Sequence, residues 1–199
     1  KFKKIGTKLI LGILPVVVIA MAVLTIISAQ SGREIIAEQM QGRMKAELRA
    51  QEATIAGELD IITSTTINMV NTIENGYKSI TPSALESTIS QVVGGNDVIL
   101  GSGIWFEPNV YRTSDEYYGP YVSSSSPELK ATYEYSNAEY DYFGKDFYVL
   151  SKSIEDAQFT EPYYDAERGE FIMNCVAPMV NLRGNYIGCA SVDVDMMMI

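Results

Sequence analysis

The sequence predicts an α+β chain with an N-terminal transmembrane helix, a long extracytoplasmic helix and then an antiparallel sheet. Three observations predict it. Leu9 to Ile27 carries no charge. Apolar residues then recur at one helical spacing from Ile36 to Ile73. Near the end, two runs rich in alternating apolar residues flank the turn-like stretch Asn181-Leu182-Arg183-Gly184-Asn185. A helix, a strand, a long insert and a hairpin suit a small sheet backed by a helix.

The uncharged run comes first. At ~1.5 Å per residue it spans nearly the whole ~30 Å hydrocarbon core. Pro15 lies inside it, which transmembrane helices tolerate. It is longer than the apolar region of a signal peptide, and Ile27-Ser28-Ala29 is a poor cleavage site. Lys1, Lys3, Lys4 and Lys8 precede it. Positive charge favours the cytoplasmic side. Residues 1–8 are therefore expected to be a cytoplasmic tail and residues 9–28 the anchor in the inner (plasma) membrane. Everything beyond is expected outside the cytoplasm.

Residues 30–75 read as one long helix. Ile36, Met40, Met44, Leu48, Ile55, Leu59, Ile62, Met69 and Ile73 follow steps of three, four and seven, a single stripe. The stripe fits pairing with a second copy in a homodimer, or packing along a domain. Asn75-Gly76 ends it. Thr81 can cap a shorter helix with Pro82 at its first position, and Leu85, Ile89, Val92 and Val93 give that helix an inner side. Gly94-Gly95-Asn96-Asp97 is a turn cluster. Val98 to Phe106 follows as a β-branched and aromatic strand.

Residues 111–148 read as irregular, and hold most of the 13 tyrosines. Two strands close the chain, Phe171 to Val180 and Tyr186 to Asp195. In the second, alternation sets Ala190, Val192, Val194 and Met196 on one face and Ser191, Asp193 and Asp195 on the other. That second face is either a solvated surface or the floor of a pocket where a carboxylate holds an ammonium group.

Composition excludes several chemistries. The chain has 15 basic and 25 acidic residues, for a net charge of -10, and Lys1, Lys3, Lys4 and Lys8 put part of the positive charge at the start. The remainder is acidic and repels nucleic acid. There is no histidine, which removes Ser-His-Asp catalysis and the usual zinc sites. Asp193 and Asp195 do not make an EF-hand loop. Gly101-Ser102-Gly103 lacks the ending of a phosphate loop. Glu161 and Asp165 are acids spaced by a proline turn, and nothing in the sequence sets them across a substrate. No enzyme activity, cofactor or metal is implied. Cys175 and Cys189 are expected as two buried free thiols.

A resemblance sharpens this. Gly103-Ile104-Trp105-Phe106-Glu107-Pro108-Asn109, Phe159-Thr160-Glu161-Pro162-Tyr163-Tyr164-Asp165, Ala177-Pro178-Met179 and Gly184 through Asp195 together resemble the membrane-distal lobe of double Cache sensor domains. These PAS-like modules are the extracytoplasmic ligand-binding parts of methyl-accepting chemotaxis receptors, sensor kinases and cyclases. The resemblance covers about residues 30–199. It implies a Cache lobe over residues 77–199, truncated before a membrane-proximal lobe.

Amino-acid sensors of that family carry a tyrosine, an arginine, a Trp-Tyr pair, a further tyrosine and a final aspartate. At matching spacing stand Tyr140, Lys145, Phe147, Tyr148, Tyr163 and Asp193. The resemblance implies that the aromatics wall a pocket, that Lys145 meets a ligand carboxylate, and that Asp193 meets the ligand amine. Lys145 and Phe147 depart from the arginine and tryptophan of the pattern. Lysine keeps the charge and loses the bidentate fork; phenylalanine loses the indole donor. The expected ligand is thus a small amino acid or amine-like molecule. The other reading is a structural or protein-binding lobe, without ligand, in a sensor kinase or cyclase.

Overall fold

The computed structural model describes residues 2–166 and 168–199, with side chains from residue 12 onward except residue 34. The lysine cluster at residues 1–8 lies outside the described side chains. The chain divides into two compact units, residues 1–54 and 55–199.

Helix α1 (Phe2–Glu74) runs without interruption and contains Pro15. The first unit is helix alone. Its segment from Gly12 is long and apolar enough to cross a membrane. Ile13, Leu14, Val18, Ile19 and Leu24 are all exposed there, as are Ile36, Met40, Met44 and Leu48 further on.

The second unit holds the last turns of α1 and the rest of the chain. Here the stripe is covered: Ile62, Met69, Val70 and Ile73 are buried. Helix α2 (Pro82–Gly94) starts as its sequence requires. Pro82 occupies the first turn, and the Thr81 hydroxyl accepts from the Ala84 N–H at 3.2 Å. Leu85, Ile89 and Val93 are its buried side, and Val92 is half-covered.

A seven-stranded antiparallel sheet follows. Strands β1 (Ile99–Phe106), β6 (Glu170–Val180) and β7 (Tyr186–Asp195) are long. Strands β2 (Tyr121–Ser123), β3 (Ala131–Thr132), β4 (Gln158–Phe159) and β5 (Tyr163–Asp165) have two or three residues each. The order is β3-β2-β1-β7-β6-β4, with β5 also pairing β6. The insert is therefore not wholly irregular: it supplies β2, β3 and helix α3 (Asp146–Ser151). The stretch after Pro162 is a strand rather than only a turn.

The sheet separates two cores. On one face Ile104, Phe106, Cys175, Ala177, Met179, Val192 and Val194 pack with α1 and α2. On the other, Trp105, Tyr121, Tyr142, Phe147, Tyr148, Val176 and Cys189 form an aromatic layer. Cys175 and Cys189 lie in different cores, opposite Val192 and Pro178 in the β6–β7 register, and both thiols are free.

Candidate ligand-binding site

Asp193 stands near the end of β7, between Gly101 of β1 and Asn174 of β6. Because its neighbours Val192 and Val194 point into the helix-side core, alternation turns Asp193 to the aromatic side. The solvated-face reading does not hold for it. Tyr121 donates its hydroxyl to Oδ2 at 2.7 Å, and the Asn174 amide donates to Oδ1 at 2.6 Å. Both donors are neutral. Burial raises the Asp193 pKa above the ordinary aspartate value; the two hydrogen bonds and nearby Arg168 oppose that shift only in part. The nearest cation, Arg168, stands beyond the Tyr121 hydroxyl rather than on the carboxylate, so no charged donor bonds Asp193 directly among the described residues.

Glycine makes the geometry possible. A Cβ at Gly101 would occupy the space of the Tyr121 hydroxyl. A Cβ at Gly103 would meet the Trp105 indole. The strand is thus bare where the aromatics must lie flat on it. Trp105 donates its indole N–H to Ser191 Oγ at 2.8 Å. Its ring lies 5.2 Å from Phe147 and 6.5 Å from Tyr140, the latter stacked. Tyr135 packs edge-on against Tyr121 at 5.4 Å and against Tyr140 at 4.8 Å.

The six residues singled out from the sequence fall into three settings. Asp193, Tyr140 and Tyr163 come together. Burial, then the Asp193 charge, raises both tyrosine pKa values, and Tyr163 also touches the Asn174 side chain. Tyr163 remains 44% exposed, a rim position. Phe147 and Lys145 lie one layer out. Phe147 backs the Trp105 ring, while the exposed Lys145 ammonium sits 4.5 Å above the Tyr140 ring. Tyr148 is placed elsewhere. It is fully buried, its hydroxyl donates to Glu107 Oε1 at 2.9 Å, and Lys152 pairs with the same oxygen at 2.5 Å.

Sequence reasoning missed Tyr121, Asn174, Trp105 and Arg168. Asn174 did carry a sign: it is a lone amide within the apolar run Ile172-Met173-Asn174-Cys175-Val176. Gly101 and Gly103, alternating in a strand, marked a close approach. Arg168 gave no such sign. It sits between β5 and β6, and its Nη2 lies 3.2 Å from the Tyr121 hydroxyl and 3.3 Å from Ser123 Oγ. Two open clefts of about 390 and 400 Å³ lie apart from this site. The first is lined by Thr65, Asn68, Thr88 and Gln91, with no charged group; the second by Glu74, Glu155 and Asp156. Neither joins opposite charges.

An open antiparallel sheet with a helix layer behind and an aromatic layer in front is the architecture of a PAS-like sensor domain. The chain belongs to the family described as methyl-accepting chemotaxis protein-like, first PDC sensor domain, whose model matches residues 85–199. Solved structures share the fold. Methyl-accepting Chemotaxis protein X aligns with a TM-score of 0.64 at 19% identity, over 77% of this chain and 61% of that one. The sensory domain of the Campylobacter jejuni chemoreceptor Tlp3 aligns at 0.60 and 15%, over 74% and 57%. The extracellular domain of the putative histidine kinase mmHK1S-Z3 aligns at 0.57 and 20%, over 72% and 54%. The chain thus spans little more than half the length of these structures. No curated protein matches it.

Proposed function

We propose that the chain is the ligand-binding lobe of a membrane-anchored signal transducer of the chemotaxis-receptor type, and that it binds a small amino acid or amine-like molecule at Asp193. The observation that carries this is the Asp193 carboxylate itself. It faces the aromatic layer, its two hydrogen bonds come from neutral donors, and Arg168 offsets its burial only in part. An ammonium group of a ligand supplies a charged donor. Tyr140 and Tyr163 stand beside it as walls, and Trp105 and Phe147 back them. Tlp3, a structural neighbour, has been solved with L-valine, which supports the ligand class.

The anchor belongs to the same proposal. The apolar segment spans the inner membrane, the lysines before it stay in the cytoplasm, and the lobe lies outside. The exposed stripe Ile36, Met40, Met44 and Leu48 supports pairing with a second copy.

A thermal-shift screen of the full chain in lipid nanodiscs tests the ligand reading. Ligands that bind only the folded state raise its stability by RT ln(1 + [L]/Kd). Amino acids or amines should raise the unfolding temperature, and plain carboxylates should not. If only carboxylates stabilise the lobe, the ammonium reading at Asp193 is wrong; if nothing does, a structural or protein-binding lobe is the better account.

A further inference from the structure

We propose that Arg168 determines specificity at the Asp193 site by receiving the carboxylate of a zwitterionic ligand whose ammonium rests on Asp193. This rests on the ligand-site reading above and deepens it. The role is the one the family resemblance gives to Lys145.

Three observations favour Arg168. The first is position. The two charged groups of an α-amino acid are separated by a single carbon, so the groups that hold them must be neighbours. Arg168 Nη2 lies 3.2 Å from the Tyr121 hydroxyl, and that hydroxyl donates to Asp193 Oδ2 at 2.7 Å. One oxygen thus separates the guanidinium from the carboxylate. Lys145 lies over the ring of Tyr140 instead.

The second is environment. The Arg168 side chain is 25% exposed, whereas Lys145 is exposed. A partly desolvated guanidinium pairs with an anion more strongly than a hydrated ammonium does.

The third is the length of its present contacts. Among the described residues, Arg168 reaches Tyr121 and Ser123 at 3.2 and 3.3 Å, the Leu100 carbonyl at 3.4 Å, and Asp165 Oδ2 at 3.8 Å. Charge-assisted bonds to a carboxylate run at about 2.7–2.9 Å. These longer contacts hold the guanidinium in place across the sheet, and a short, two-pronged anion would displace the weaker of them. An amino-acid carboxylate has that shape; a simple amine offers nothing to it.

The test uses the full chain in lipid nanodiscs and calorimetric titration with the standard amino acids, then with the decarboxylated amine of any that binds. Arg168→Gln should weaken the amino acid by at least about tenfold and leave the amine within about twofold. Arg168→Lys, which keeps the charge and loses the fork, should fall between parent and Arg168→Gln. Lys145→Gln should cost less than Arg168→Gln. Thermal unfolding of each free variant checks that the lobe is intact, and Arg168→Lys carries the test if Arg168→Gln does not fold. Equal losses for amino acid and amine would make Arg168 a structural clasp and overturn the proposal. So would a tighter amine with an unchanged amino acid, which would make Arg168 a resident cation that ligands displace. Loss of all binding in Asp193→Asn with none in Arg168→Gln sinks the Arg168 role alone. Silence from every probe on the parent removes the ligand site itself and this proposal with it.

Discussion

At the scale of single residues, the Asp193 carboxylate is bonded by two neutral donors, with the Arg168 guanidinium one hydroxyl away. Burial raises the Asp193 pKa, so the folded chain binds its proton more tightly than the unfolded chain. The stability this gives is present below the ordinary aspartate pKa and is lost as pH rises through the raised one. At neutral pH the ionised group is therefore a cost. Asp193→Asn should unfold at a higher temperature than the parent at pH 7, and the gap should close as pH falls into the acid range. A lower unfolding temperature at pH 7 would mean that the charge is already satisfied. Binding of an ammonium ligand needs the ionised form, so affinity should rise with pH through the raised pKa and then level off. Titration across that range reads this directly. Gly101→Ala should push the Tyr121 hydroxyl off Asp193 and weaken the same binding. Part of this was legible: alternation put Asp193 on one face with Ser191 and Asp195, and the family resemblance gave it the ligand role. Tyr121 was not, because it lies 72 residues away in the chain and only tertiary folding brings it near. Arg168 was hidden for the same reason, in a short connection with no periodicity to interpret.

At the scale of elements, helix α1 changes role along its length. Ile62 and Ile73 are fully buried against the sheet, while Ile36 is 59% exposed. Ile62→Ala or Ile73→Ala should destabilise the lobe by ~2–5 kcal/mol, as buried large-to-small changes do. Ile36→Ala should change it by less than about 0.5 kcal/mol. Chemical denaturation separates the two. Equal effects would mean that the stripe is covered throughout. The long elements were legible because each repeats a period over many residues: 3.6 in α1, two in β6 and β7. The short strands β2 to β5 have too few residues to show a period, and β5 was masked by the proline before it. The cysteines follow from the same alternation. Positions 175 and 189 fall on opposite faces of the sheet, and burial raises the Cys189 thiol to about 12. Neither a disulfide nor rapid alkylation of the native protein is expected. A shift of unfolding temperature on adding reductant would contradict this.

At the scale of the whole molecule, the two cores divide the labour. The helix-side core holds the sheet on α1, and the aromatic side carries the proposed site. The two are joined through the sheet. Trp105 bonds the Ser191 hydroxyl, and the Ser102 hydroxyl bonds the Ser191 carbonyl at 2.9 Å and lies 3.8 Å from Met69 of α1. The proposed orientation predicts that a cysteine in place of Ser124 reacts with an impermeant thiol reagent on intact inner membranes; protection until lysis would reverse it. The central claim remains that Asp193 holds the cation of a small ligand, and one measurement tests it most directly. The affinity of the best amino acid or amine from the screen should be compared between the parent chain and Asp193→Ala, with circular dichroism to verify the fold. Removing one partner of a desolvated charge pair costs ~2–5 kcal/mol, so the account predicts a loss of about thirtyfold or more with the fold unchanged. An Asp193→Ala chain that binds the same molecule as tightly as the parent would contradict it.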